Sequence, residues 1–190
     1  MADEPAGRPL RADAQRNRDK VLRAARDAFA ACGFGAPVDE IATRAGVGPG
    51  TVYRHFPTKE ALFEAVIAAR LADLVADARD RASWADPEAA FFGFLETVAG
   101  EAAAKRDLPD AIAIAGSLQR DLRTALEVLL QRAQQAGAVR AGITAGDLIV
   151  LLKGLFTALR EAQAGDDPDP AMRDRLAQVI TDGLRQPRLT

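Results

Sequence analysis

The sequence predicts an all-α protein of about nine helices, and two features of it support that fold class. Apolar residues recur every three or four positions through most of the 190 residues, whereas the alternation typical of strands is absent. Glycine, proline and short polar residues divide these segments at the positions where helices begin and end. With 48% hydrophobic residues the chain can bury a substantial core, yet it has no apolar run near the ~20 residues of a membrane helix.

The N-terminal segment combines an expected flexible arm, residues 1–10, with a first helix from about Ala12 to Ala31. Residues 8–26 hold seven basic side chains against two acidic ones, although the net charge of the chain is −2. This asymmetry favours an end that faces nucleic acid on an otherwise acidic protein; a solvated helix face is the alternative.

Two short helices follow, joined by a glycine turn. The first, Val38–Ala45, places Ile41 and Ala45 on one face, and Gly46 ends it as a left-handed C-terminal residue. The second has Val52 and Phe56 four residues apart. The pattern predicts a helix-turn-helix, whose second helix enters the DNA major groove, but any helical hairpin shows the same spacing.

The residue types in this stretch are more specific evidence than their spacing. Ile41-Ala-x-x-Ala-Gly-Val and Gly50-Thr-Val-Tyr-Arg-His-Phe-Pro-Thr-Lys-Glu-Ala-Leu-Phe closely resemble the DNA-binding domain of the TetR family of bacterial regulators, over about residues 16–66. The resemblance implies a helix-turn-helix DNA-binding domain in residues 11–58, joined by a long helix to a helical effector-binding and dimerisation domain in residues 59–190.

Candidate DNA contacts fall into three groups. Base readout is expected from Thr51 and Arg54, with Thr43 or Arg44 of the preceding helix. The first turn, Gly48-Pro49-Gly50, lacks hydrogen-bonding side chains; its glycines permit close backbone approach, and Pro49 is suited to a thymine methyl group. The resemblance implies that three residues contact DNA phosphates and so position the protein on the duplex, namely Tyr53, His55 and Lys59. A packed core histidine is the alternative for His55.

The second half of the chain begins with a predicted helix from Lys59 to about Arg81, capped by Thr58 and serving to connect the two domains. Later helices are expected to begin near Asp86-Pro87, Leu108-Pro109, Ser117, Thr144 and Asp169-Pro170. Thr144 and Asp147 have the spacing of a capping box. The family has a threonine near Pro37 that this chain lacks, so the cap of the second helix is expected to shift to Asp39.

The last two predicted helices are apolar on more than one side, which favours a homodimer that reads a palindromic operator in double-stranded DNA. A wholly internal helix is the alternative. The expected interface residues are Leu148, Leu152, Leu155, Leu159, Leu176, Val179 and Ile180.

Other apolar residues of this half are candidates to line a cavity for a small, mainly apolar effector, although stripes of this kind are more often simply core. They are Phe91, Phe94, Leu95, Val98, Ile112, Leu118, Leu122, Leu126 and Phe156. Together these features predict a repressor that an effector releases from DNA. The alternatives are a regulator without a ligand and a helical protein-interaction module.

One histidine and one cysteine offer little for catalysis or metal binding, so the sequence predicts neither an enzyme nor a metal or cofactor site. Cys32 cannot form an internal disulfide, which favours a cytoplasmic protein. Because it lies near the end of an apolar helix, we expect its thiol to be buried and inert.

Overall fold

The computed structural model describes residues 7–104, 116–163 and 171–187, and these residues fold as predicted into an all-α structure. Within them lie eight α-helices and a short 3-10 turn at Gly33–Gly35, and the only β-type pairing is an isolated bridge between Val139 and Arg185. The predicted helix that opens at Leu108-Pro109 lies outside the described residues. The helices are α1 Gly7–Cys32, α2 Val38–Ala45, α3 Pro49–His55, α4 Lys59–Arg81, α5 Pro87–Ala104, α6 Gly116–Gln135, α7 Ala145–Gln163 and α8 Met172–Leu184.

The chain divides into two compact units, Met1–Ile67 and Ala68–Thr190. The division falls inside α4, after the domain boundary that the sequence suggested at residue 58. The predicted bounds of α4 itself, Lys59 and Arg81, are confirmed. The beginning of α4 therefore belongs to the first unit and the rest of the helix to the second.

Helix α1 differs from the prediction at both ends. It begins at Gly7, so residues 7–10 of the expected arm are helical. Pro9 does not prevent this, because the first turn of a helix needs no intrahelical N–H bond. The helix also continues to Cys32, whose thiol is exposed, so the expectation of a buried cysteine is wrong. Cys32 shares a helical face with the buried Ala28, four residues earlier, but it is the last residue of α1 and the core does not cover it.

The core of the first unit joins all four of its helices. Val21, Ala25 and Phe29 of α1 pack in a buried cluster with residues of α2, α3 and the beginning of α4. The ring of Phe29 meets that of Phe63 edge-on, with centroids 5.1 Å apart. The other fully or nearly fully buried members are Ile41, Val52, Phe56 and Leu62. This core packs α2 and α3 against α1.

Three of the predicted helix starts are confirmed by their caps. The Thr58 hydroxyl accepts the Ala61 N–H at 3.1 Å. The Asp86 carboxylate accepts the N–H groups of the first turn of α5. At α7 the Asp147 N–H donates to the Thr144 hydroxyl oxygen at 3.2 Å, and the Thr144 N–H donates to the Asp147 carboxylate at 2.9 Å. The shift of the α2 cap to Asp39 is wrong, because α2 begins at Val38 with Pro37 at the cap position and no side-chain cap.

Four of the residues expected at the dimer interface lie on α7 and are buried within the single chain, which contradicts that expectation. Leu148, Leu152, Leu155 and Leu159 are only 1–8% exposed within the single chain. They face the core of the second unit, where Phe91, Phe94, Leu126 and Leu129 are also buried. Their side chains therefore leave little surface for a partner. Helix α7 is apolar on several sides because one side packs against the rest of its own chain. Another side, which is exposed in the single chain, also carries apolar residues.

Helix α8 has the opposite character. Leu184, its last residue, is the only one of its side chains that is buried. The interface candidates Leu176 and Ile180 are half-buried, and Val179 is 68% exposed. The apolar stripe along α8 is thus only partly covered by the described part of the chain.

Candidate functional site

The turn between α2 and α3 is closed by backbone hydrogen bonds that depend on Gly46. Its φ of 67° and ψ of 35° are left-handed, a conformation that favours glycine. The Gly46 N–H donates to the Thr43 carbonyl at 3.1 Å, and the Val47 N–H donates to the Ala42 carbonyl at 3.0 Å. These bonds satisfy the last carbonyls of α2 and direct the chain into α3.

One side of α3 faces the core of the first unit. Val52 and Phe56 are buried, as their spacing predicts. The guanidinium carbon of Arg18 lies 5.2 Å from the centre of the Phe56 ring, so α1 covers this side of α3 with a cation–π contact. The remaining sides of α3 carry its polar residues.

The structure places all ten candidate DNA contacts at or near the surface of the first unit. The most accessible ones are Thr43, Arg44, Gly48, Pro49, Gly50, Tyr53 and Arg54, which are exposed, whereas Thr51, His55 and Lys59 are half-buried. Their individual contacts with DNA stay predictions.

The two α2 candidates already have partners within α2. The Thr43 hydroxyl donates to the Asp39 carbonyl at 2.9 Å, which leaves its oxygen to accept from a base or water. The Arg44 guanidinium donates to the Glu40 carboxylate at 2.7 Å. Both partners of this ion pair are about half exposed, and such pairs contribute only ~0–1 kcal/mol. Exchanging Glu40 for a phosphate or a base edge would therefore cost Arg44 little.

Lys59 and His55 also have packing roles. The Lys59 ammonium lies 4.9 Å from the centre of the Phe34 ring, so this side chain stabilises the first unit besides being a candidate phosphate contact. The sequence did not indicate this second role. The imidazole of His55 lies beside Phe56, with ring centroids 6.4 Å apart, but it is not fully buried. The structure thus leaves it accessible for either of the two predicted roles.

Gly48 and Gly50 are not required by the fold. A Cβ atom added to either would meet no protein atom within 4 Å. Gly48 has an ordinary φ of −76°, and Gly50 does not have a positive φ. The bare backbone on this side of α3 is therefore open to a close approach from outside the protein.

A cavity of about 380 Å³ lies within the second unit among α4, α5, α6 and α7. Five predicted lining residues face it: Phe94, Val98, Leu122, Leu126 and Phe156. Phe91 and Leu95 do not line it, because they are buried elsewhere in the core. Ile112 and the side chain of Leu118 lie outside the described residues.

The sequence prediction missed most of the polar part of this cavity. The lining residues not predicted from the sequence are Leu71, Leu74, Gln119, Arg120, Arg123, Gly146, Ile149, Val150, Leu152 and Lys153. Their helical spacing was a usable signal, since 119, 122, 123 and 126 share one face of α6 and 146, 149, 150 and 153 share one face of α7. This signal was missed because only apolar residues were selected as candidates for the lining.

Comparison with known proteins decides the family. Residues 21–66 match the model for bacterial regulatory proteins of the tetR family, and residues 86–186 match the C-terminal domain of SbtR-like transcriptional regulators. The chain belongs to the TetR family of transcriptional regulators. It is thus a helix-turn-helix protein of a family that binds DNA, with α3 as its recognition helix.

Solved structures of TetR proteins resemble nearly the whole chain. A TetR regulator from Mycobacterium vanbaalenii is 41% identical with a TM-score of 0.70, and the match covers 93% of this chain and 99% of that one. A TetR regulator from Streptomyces coelicolor is 32% identical with a TM-score of 0.69, covering 90% of this chain and 99% of that one.

The match to curated relatives is more local. The HTH-type transcriptional regulator UidR of Escherichia coli is 41% identical over 59 residues, which is 30% of this chain and 30% of that protein. The likeness to UidR thus concerns a segment of the size of the DNA-binding domain alone. No helix among the described residues is long and apolar enough to cross a membrane.

Proposed function

We propose that this TetR protein is a dimeric repressor that leaves a palindromic operator when a small, largely apolar effector occupies the cavity of the second unit. The observation that carries the proposal is the course of α4. This helix begins with Lys59, a candidate phosphate contact, and supplies Leu71 and Leu74 to the cavity lining. One uninterrupted helix therefore connects the proposed effector site with the proposed DNA site.

The DNA side of the proposal rests on what α3 exposes. Arg54 is an exposed guanidinium on the recognition helix, suited to a bidentate contact with guanine. Tyr53 and Lys59 offer a hydroxyl and an ammonium to phosphate oxygens. The open backbone at Gly48 and Gly50 would let the first turn of α3 lie close to the DNA.

Dimerisation is supported by the apolar surface of the last two helices. Val179 on α8 is 68% exposed, and Leu151 on α7 is 44% exposed. Gly154 and Ala158 continue the Leu151 side of α7 at helical spacing and are also exposed, so this side is smooth and apolar. Two copies pairing through α7 and α8 would cover these residues. They would also supply two recognition helices, which a palindrome requires at about 34 Å spacing.

Effector coupling follows from linkage. A ligand that binds the DNA-released form about 100-fold more tightly than the DNA-bound form supplies about 2.7 kcal/mol of coupling free energy. The position of Leu71 and Leu74 on the cavity wall makes α4 the element through which the ligand would act.

The test uses the purified full chain and DNA from its own promoter region. We expect a retarded complex that contains two chains per operator, and we expect its operator affinity to fall when a cavity ligand is added. A ligand that binds the second unit with the same affinity in the presence and absence of operator would contradict the release mechanism. Absence of any sequence preference in a selection from random DNA would contradict operator binding itself.

A further inference from the structure

The cavity of the second unit has a charged part that an apolar effector alone would not use. Arg120 and Arg123 of α6 and Lys153 of α7 belong to its lining, together with the amide of Gln119. None of the described lining residues is acidic. All three cations are exposed, which places them toward the solvent side of the cavity.

The buried part of the cavity lining is apolar. Its side chains come from four helices and are almost completely removed from water; they include Leu71, Leu74, Phe94, Val98, Leu126 and Phe156. The cavity volume of about 380 Å³ is at the lower end of the ~300–1,000 Å³ typical of small-molecule sites. The site therefore combines an apolar interior with a cationic mouth.

The nearby carboxylates do not cancel this charge pattern. Glu127 pairs with the Arg123 Nε at 3.2 Å, but both side chains are more than half exposed, so the pair is weak and exchangeable. Asp147, in the first turn of α7, accepts hydrogen bonds from the Thr144 N–H and hydroxyl. It serves the helix cap and is not a lining residue. Arg120, Arg123 and Lys153 thus all contribute positive charge at the mouth, and only Arg123 of the three shares its charge with a carboxylate of α6.

We infer that the effector is an amphipathic anion, with a carboxylate or similar headgroup at the mouth and a hydrocarbon or aromatic body inside. Hydrogen bonds between ionised groups are about twice as strong as neutral ones, and Arg and Lys at a partly solvated mouth form them without the full desolvation cost of a buried pair. An uncharged ligand gains the apolar contacts only. This inference rests on the proposed effector role of the cavity and adds the charge of the ligand.

The test compares octanoate with octanamide, which share the hydrocarbon chain and differ in charge. Calorimetry on the full-length protein should show octanoate binding about tenfold or more tightly. In the double variant Arg120→Gln, Lys153→Gln, octanoate affinity should fall by about tenfold and octanamide affinity should stay the same. The matched control, Arg79→Gln with Arg140→Gln, removes two exposed cations of the same unit that do not line the cavity. It should leave both affinities unchanged.

A further variant locates the binding. Ile149→Trp adds bulk to a half-buried lining residue without altering a fully buried core position, and it should weaken both ligands. Unchanged octanoate affinity in Ile149→Trp would overturn the inference. So would equal affinities for the two ligands in the wild type, or no octanoate binding at millimolar concentration.

Operator binding is measured separately, so that the two proposals can fail independently. If octanoate affinity depends on Arg120 and Lys153 but octanoate does not change operator affinity, the anionic ligand is supported and effector-driven release is contradicted. Octanamide that binds as well as octanoate and releases operator supports release and overturns the anionic ligand.

Discussion

Helices α3 and α7 carry the two proposed functions, and they differ in how many neighbours they have. In α3, seven residues long, Val52 is the buried side chain and the polar residues point away from the core. In α7, nineteen residues long, leucines of the same chemistry reach different places. Leu148 is 1% exposed, whereas Leu151, three positions later, is 44% exposed.

The difference shows when polarity identifies a functional residue. A helix that packs on one side divides its residues into an apolar face and a polar face, so the polar face of α3 is readable from the sequence. Helix α7 has a core side, a cavity side and an exposed side, and all three consist mainly of apolar residues. Only the surroundings distinguish them.

The largest effect is expected from the exposed apolar side of α7 and α8. The double variant Leu151→Glu, Val179→Glu places charges where two copies are proposed to pair, so it should dissociate the dimer. Losing the second half-site should weaken operator binding by about 10²–10⁴-fold. Sedimentation and gel retardation would measure both changes.

The matched control is Val128→Glu, which also charges a residue with 44% exposure but lies on α6. It should remain dimeric and bind operator normally. A wild-type protein that sediments as a monomer at micromolar concentration would contradict the dimer proposal.

Within α7, truncating a core leucine should differ from truncating an exposed one. Leu148→Ala should lower the free energy of unfolding by about 2–5 kcal/mol, because it leaves a cavity in a packed core. Leu151→Ala should instead act through dimer dissociation, so its effect on chemical denaturation should depend on protein concentration. Equal, concentration-independent losses would show that the two sides of α7 are not distinct.

On α3, Arg54→Ala should cost about 1–3 kcal/mol in operator binding and relax the preference at particular base pairs. A selection from random DNA with wild type and variant would measure both. An unchanged preference would remove Arg54 from base readout.

Lys59→Ala provides the contrast, since a phosphate contact should weaken binding to all sequences about equally and reduce the salt slope by about one. Because Lys59 also lies over the Phe34 ring, the thermal unfolding of the Lys59→Ala variant should be measured as well. A salt slope that stays the same would show that only the packing role exists.

The smallest effect concerns the cap of α7. Hydrogen bonds from the backbone and then the side chain of Thr144 lower the pKa of Asp147 below its ordinary value of 3.8. A carboxyl with a lowered folded pKa stabilises the fold above its unfolded pKa, and that contribution is lost as the pH falls through the folded value. Wild type should therefore melt slightly above Asp147→Asn at pH 7, and the difference should vanish in strong acid. A constant difference down to that pH would exclude the ionised carboxylate as its cause.

Local signals in the sequence were sufficient for the helical class, for the bounds of α4 and for the recognition motif. The bounds of α4, the left-handed Gly46 and the cap at Thr144 depend on residues within a few positions of one another, and all three are confirmed. The predicted Asp39 cap of α2 was wrong, because the helix begins at Val38 with Pro37 at the cap position and without a side-chain cap. The expectation of a buried Cys32 was wrong because this residue ends α1, where the core no longer covers the helix face that Ala28 occupies.

By itself, then, the sequence determined the all-α class, the TetR-type helix-turn-helix and the residues that α3 and its flanks present. These follow from helical periodicity and from contacts close in the chain. Only the tertiary structure decided which leucines of α7 are core, which residues surround the cavity, and that Arg120 and Lys153 share its mouth. Such arrangements bring together side chains from α4 to α7, and the packing of distant helices, which no local pattern encodes, sets them.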